Sequence, residues 1–132
     1  MKETFSPNAA EFALIEAIAR GGQDGPVLMV NINCYVDEAG YPHGAPYRDY
    51  MSALATLLGQ VKGRILWQLP VLGQPIGTQP AHEILCIWYP NHQAFLALRS
   101  QPGSAENFRL RNLVIASAVI HRCPDGVIPT TD

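Results

Sequence analysis

The run Val27-Leu28-Met29-Val30-Asn31-Ile32-Asn33-Cys34-Tyr35-Val36 decides how this chain reads. Side chains of a β-strand alternate between two faces. The even set, Leu28, Val30, Ile32, Cys34 and Val36, is wholly apolar and reads as dry core. The odd set, Val27, Met29, Asn31, Asn33 and Tyr35, carries two amides and a phenol. It reads as a wall able to hydrogen-bond, either lining a pocket or meeting a second subunit.

Upstream, Ser6-Pro7 has the composition of a helix start. Leu14, Ile15 and Ile18 form an apolar stripe, Gly21-Gly22 ends it, and Asp24-Gly25-Pro26 is a turn signal. Downstream, Asp37 to Pro46 reads as a loop, long enough to carry function. Tyr47, Tyr50, Met51, Leu54, Leu57 and Leu58 then recur at helical spacing, with Gly59 as the stop. Arg64 to Leu72 reads as a strand with Ile65, Trp67, Leu69 and Val71 on one face. Its Pro70 requires a sheet edge or a bulge. Gly73 to Gly77 is a turn, and His82 to Tyr89 is apolar on both faces, as a central strand is. Asn91 caps a helix bearing Phe95, Leu96 and Leu98. Pro102-Gly103 breaks it, and Ser104 opens a further turn or two through Phe108 and Leu110. Leu113 to Arg122 is the last strand.

One domain is expected: an N-terminal helix over 7–20, a core over 26–123 and a loose tail over 124–132. The element order is that of an α+β, ferredoxin-like β-α-β-β-α-β plaque with an extra N-terminal helix, whose antiparallel strands run in the order 4-1-3-2. Both crossover helices cover one sheet face. The other face needs cover, and a second copy of the chain is the simplest.

Composition narrows the partners. A chain of 132 residues can bury roughly two-thirds of its unfolded surface without metal or disulfide staples. A net charge of −2, with no basic cluster, argues against nucleic acid and anionic membranes. No apolar run approaches the ~20 residues of a membrane span. The start, with Lys2 and Glu3, lacks the apolar stretch of a secretory signal, so a cytoplasmic protein is expected. Cys34, Cys86 and Cys123 read as free, buried thiols. No cofactor and no metal are expected, because the four histidines and three cysteines show no ligand spacing. Gly73-Gln74-Pro75-Ile76-Gly77 is not a phosphate loop, and no nucleophile motif occurs.

Five short motifs resemble one bacterial family, domain of unknown function 1330. Gly25 to Ile32 resembles its Pro-Val strand opening, and Tyr47-Arg48-Asp49-Tyr50-Met51 its helix start. Gly63 to Trp67 resembles its second strand, Tyr89-Pro90 with Phe95-Leu96 its second helix entry, and Pro102 falls where the family has proline. The similarity spans residues 7 to 122. It implies a dimeric α+β barrel, in which two sheets face each other and each subunit encloses a cavity. That superfamily includes monooxygenases, lactone isomerases, dehydratases, haem-dependent enzymes and proteins without known activity, so the fold does not fix the reaction. The family's acidic residues entering the last strand are absent here, where Leu113-Val114-Ile115-Ala116-Ser117 stands.

Five residues are the expected ligand-binding set: Asn31, Asn33, Tyr35, Trp67 and Glu83. The amides suit a carbonyl or carboxylate, and the aromatics would wall the site. Glu83 at the start of a central strand invites a structural pairing with Arg64 or Arg111. His43 lies in the long loop and His82 precedes Glu83, while His92 and His121 read as exposed. The first expectation is a small-molecule pocket in a cofactor-free enzyme of isomerase, cyclase or monooxygenase type acting on a polar organic substrate. The alternative is a non-catalytic dimeric ligand-binding or accessory protein.

Overall fold

The strand that carries the two asparagines, β1 (Val27–Tyr35), is hydrogen-bonded on both edges. In the computed structural model, which describes residues 6–126, it pairs antiparallel with β3 (Glu83–Tyr89) and β4 (Ile115–Pro124). Strand β2 (Arg64–Pro70) closes the far edge against β3, giving the order β2-β3-β1-β4. Helices α1 (Ala9–Arg20), α2 (Ala45–Gln60), α3 (His92–Leu96) and α4 (Ser104–Val114) complete a ferredoxin-like α+β fold with an added N-terminal helix. Of the tail expected over 124–132, Pro124 ends β4, and residues 127–132 lie outside the described residues, as do Lys2 and Glu3.

The two faces of β1 are assigned the other way round from the sequence expectation. Val27, Met29, Asn33 and Tyr35 are the buried ones. They pack beneath the helices with Ile15, Leu54, Leu58, Leu85 and Ile87 in one cluster, and with Tyr47, Tyr50, Leu110 and Val114 in a second. Each large apolar side chain so buried contributes about 1.5–3 kcal/mol. Leu28, Val30, Ile32 and Cys34 lie on the opposite face and are only half-buried. Alternation separates two faces but does not say which one the helices take. Under the helices the Tyr35 hydroxyl reaches Glu83 on β3, while the Asn31 and Asn33 amides donate to Met29 and Tyr35 of β1 itself.

A second correction concerns β2. Ile65 pairs with Ile87 but Trp67 pairs with Cys86, so Leu66 is a bulge residue. The bulge flips the alternation and splits the expected Ile65/Trp67/Leu69 stripe. Ile65 stays against the helices, Trp67 and Leu69 move to the open face, and Gln68 turns towards the helices. Pro70 sits at the sheet edge, where its missing N–H costs no ladder bond.

Helix α4 runs to Val114, further than expected, and takes in Leu113. Its length follows from its tertiary contacts: Asn107, Leu110, Arg111 and Val114 are all buried. The Glu106–Arg109 pair, 2.7 Å apart, links its solvent side. At the N-terminus the cap is Asn8 rather than Ser6, its Oδ1 accepting from Glu11 N–H at 3.1 Å. His92 is buried rather than exposed, with Nδ1 2.8 Å from Asp24 Oδ1.

The entry to α2 is sterically closed. Gly40 has φ +70°, and a Cβ on Gly44 would lie 2.7 Å from the Ala39 carbonyl oxygen. This tight turn, fastened by Gly44 N–H donating to Gly40 O at 2.6 Å, delivers Tyr47 beneath the sheet end that carries Glu83.

Candidate functional site

Adjacent register brings three of the five expected residues together. Asn33 lies directly across from Glu83 on the helix side of β1 and β3, with Tyr35 two residues on. The Tyr35 hydroxyl donates to Glu83 Oε1 at 2.6 Å, and Tyr47 donates to Oε2 at 2.7 Å. Gln68 Nε2 donates to the same Oε2 at 2.9 Å. Asn33 Nδ2 donates to the Tyr35 hydroxyl at 3.2 Å, while its Oδ1 is buried without a partner. Three donors on one carboxylate group make the strong kind of hydrogen bond and satisfy a buried acid without a cation. The expected pairing of Glu83 with Arg64 gives way to these bonds. Arg64 lies instead over the Trp88 ring, 4.9 Å from its centroid.

Aromatic rings enclose this cluster. Tyr41 stacks on Tyr35 at 5.2 Å and meets Tyr47 edge-on at 4.8 Å. His82 lies 5.8 Å from Tyr41, and its Nδ1 accepts the Tyr35 backbone N–H at 2.9 Å. That bond leaves Nε2 as the protonated nitrogen of the neutral ring. Burial, reinforced by the bond to Glu83, pushes the Tyr35 and Tyr47 hydroxyls well above the usual tyrosine range. Both therefore stay protonated and donating. Tyr41 is raised too, by burial and then by the Glu83 charge.

Asn31 goes elsewhere. It lines a cavity of about 130 Å³ between the sheet and the helices, walled by Phe12, Met29, Leu54, Phe95 and Phe108 among others. Its Nδ2 donates to Met29 O at 3.1 Å, leaving the side-chain oxygen for another donor. Further polar side chains border the same space: Tyr50 from α2, Arg99 from the turn that follows α3, and Asn107 and Arg111 from α4. Asn107 Nδ2 is buried with no hydrogen-bond partner. Burial pushes the Tyr50 hydroxyl up in pKa, and the adjacent Arg111 guanidinium, which hydrogen-bonds it, opposes that shift. A second lobe of about 300 Å³ shares Phe12, Met29, Phe95, Arg111 and Ile120, and its rim carries the Glu11–Arg122 pair, 2.6 Å apart.

Trp67 joins neither group, because the bulge at Leu66 points it to the open sheet face, where it is 43% exposed. His43 and His121 are exposed and outside both clusters. Cys34, Cys86 and Cys123 are free, Cys86 being the buried one. Among the described residues, no group of three His, Cys, Asp or Glu side chains is placed to hold a metal ion. Sequence reasoning missed Tyr41, Gln68 and Asn107 and read Tyr47 and Tyr50 only as core. The spacing of Asn107 and Arg111, four apart with Leu110 between them, marks one helix face. That signal was hidden by reading a strand from Leu113.

This arrangement has close counterparts in backbone. The chain is similar over 99% of its length to methylated RPA0582, all of whose chain is covered, with a TM-score of 0.76 and 21% identity. A second structure of RPA0582, a protein of unknown function from Rhodopseudomonas palustris, gives 0.75 at 20% identity, with 98% of this chain and 100% of that one covered. A DABB-family protein with a ferredoxin-like fold from Mesorhizobium loti matches 81% of this chain and 99% of its own at TM-score 0.54 and 12% identity. The fold is shared. No family model and no curated protein matches the chain. Identities this low carry fold alone, so the function is argued from the site.

Proposed function

We propose that this chain is a cytoplasmic, homodimeric small-molecule-binding protein of the dimeric α+β barrel type. Its ligand occupies the cavity between the sheet and the helices, and the motifs it shares with domain of unknown function 1330 support placing it beside that family. One observation carries the reading: an apolar cavity into which Asn31, Tyr50, Asn107 and Arg111 converge. A few placed polar groups in an apolar concavity are the usual make-up of a ligand site. Among the described residues, no helix is long and apolar enough to cross a membrane. Three free cysteines suit a reducing compartment.

The second copy covers the open sheet face. Leu66, Trp67, Leu69 and Val119 are 41%, 43%, 52% and 38% exposed there, beside the half-buried Leu28, Val30 and Ile32. Such a contiguous apolar face favours association. Sedimentation at micromolar concentration is expected to give a dimer for the wild type and a monomer for Trp67→Glu. A wild-type monomer contradicts the barrel.

Toluene tests the cavity. It is expected to raise the unfolding midpoint of the wild type, because it binds only the folded state. It is expected to leave Ile120→Trp unmoved, since Ile120 lines both lobes. No shift in the wild type, or equal shifts in both, contradicts the site.

A second reading, a cofactor-free enzyme, is favoured by the Glu83 cluster: a buried carboxylate with two fixed phenol donors is equipment for proton transfer. Under it, Glu83→Gln abolishes turnover while toluene still binds.

A further inference from the structure

Asn107 sits in α4 at 5% exposure, and its amide donor has no partner. Asparagine is a poorer helix former than leucine, and a buried donor without an acceptor costs stability. Packing within the chain therefore does not account for the residue. Its side chain borders the inner cavity, where an acceptor carried by a ligand would satisfy it. From the sheet side of the same cavity comes Asn31, whose Nδ2 donates to Met29 O at 3.1 Å. That bond fixes the amide and commits its nitrogen, so what Asn31 offers a ligand is its Oδ1, an acceptor.

We propose that the cavity takes a small neutral carboxamide with a compact apolar body. Its carbonyl accepts from Asn107 Nδ2, and its N–H donates to Asn31 Oδ1. The proposal rests on the cavity reading above and deepens it by naming the ligand's chemistry.

The charged groups on the wall select a neutral ligand. Arg111 is engaged by the Tyr50 hydroxyl, which it hydrogen-bonds, and so is no spare charge for an anion. Arg99 is exposed and shared with the outer groove that carries Glu16, so solvent meets its charge at the mouth. Among the described residues no carboxylate borders the inner cavity, and a cation would find no counter-charge there. The two asparagines are uncharged, and a carboxamide supplies the acceptor that one needs and the donor that the other receives. Size limits the remainder. A lobe of about 130 Å³ holds one ring or a comparable branched chain, as cavities of roughly 150 Å³ take up benzene.

The test is titration calorimetry of the full chain with toluene, acetophenone, benzamide and benzoate. These share one ring and differ in the head group: none, an acceptor, an acceptor with a donor, and an anion. Benzoate is expected to bind about tenfold or more weakly than benzamide, because its charge would be buried without a free partner. Asn107→Leu is expected to weaken acetophenone and benzamide about fivefold relative to toluene, the loss of one neutral hydrogen bond. Asn31→Leu is expected to weaken benzamide by about the same factor relative to acetophenone, which has no donor to lose. Without ligand, Asn107→Leu is expected to melt no lower than the wild type, since it removes a donor that nothing pairs. A lower melting temperature would mean that the donor is already satisfied, and overturns the proposal. If toluene binds but Asn107→Leu leaves benzamide and acetophenone unchanged relative to it, the carboxamide assignment falls and the cavity reading stands. Benzoate binding as tightly as benzamide has the same consequence. If none of the compounds binds, both fall.

Discussion

Removing one oxygen tests how the buried acid is held. In Tyr35→Phe, Glu83 Oε1 loses the donor that reaches it at 2.6 Å, and Asn33 Nδ2 loses its acceptor at 3.2 Å. A hydrogen bond to a charged acceptor is worth about 1.5–3 kcal/mol, and a newly orphaned buried donor costs about 1–3 kcal/mol. Asn33 Oδ1 is already unpartnered, so the side chain has little left to re-pair with. Together the change costs roughly 2.5–6 kcal/mol, a large share of a stability of about 5–15 kcal/mol. Tyr47→Phe is milder, at about 1–2 kcal/mol, because Gln68 still donates to Oε2. Gln68→Ala, at an exposed edge, costs less than about 1 kcal/mol. Urea unfolding at fixed protein concentration, followed by circular dichroism, gives the three values from midpoint shifts at constant slope. The order Tyr35, then Tyr47, then Gln68 is the signature. A cost for Tyr35→Phe no larger than that for Tyr47→Phe would refute the role given to Asn33 and the inner oxygen.

Other outcomes follow from the same geometry. The raised pKa values of Tyr35, Tyr47, Tyr50 and Tyr89 mean full stability up to about pH 10, the unfolded value, and a loss above it as the unfolded chain ionises and the folded chain does not. Tyrosinate absorbance is therefore expected to rise together with unfolding, not ahead of it. Asp24 accepts from the backbone N–H groups of His92 and Gln93 and from the His92 ring, at 2.8, 3.1 and 2.8 Å. Asp24→Ala is expected to cost about 2–3 kcal/mol, with urea midpoints as the measure. Burial acts to raise the Asp24 carboxyl, but these bonds outweigh it and hold it below the usual value of 3.8. That contribution is present above pH 3.8 and is lost as pH falls towards the folded value. Gly44→Ala, whose Cβ would meet Ala39 O, is expected to cost about 1–3 kcal/mol in thermal melts.

The topology was legible because strand and helix periodicities are local properties. The apolar runs of β1 and β3 and the proline in β2 place the strands at the centre and the edge without any tertiary knowledge. Two non-local facts were not legible. Which face of β1 the helices take depends on Glu83, which accepts from the Tyr35 hydroxyl and from Tyr47 and Gln68, and all three of Glu83, Tyr47 and Gln68 lie on other elements. The bulge at Leu66 depends on pairing with β3, and it alone moves Trp67 out of the expected site. Asn33, Tyr35 and Glu83 met as neighbours because register places them side by side. Asn31, two residues earlier, falls under a different part of the helix layer and so belongs to the cavity.

The most direct test of the cavity as the ligand site is a two-dimensional NMR spectrum of side-chain amides, recorded with and without toluene. The account predicts shifts for Asn31 and Asn107 and none for Gln74, which is exposed in the β2–β3 connection. Shifts confined to the open sheet face around Trp67, or no shifts with toluene, would contradict it.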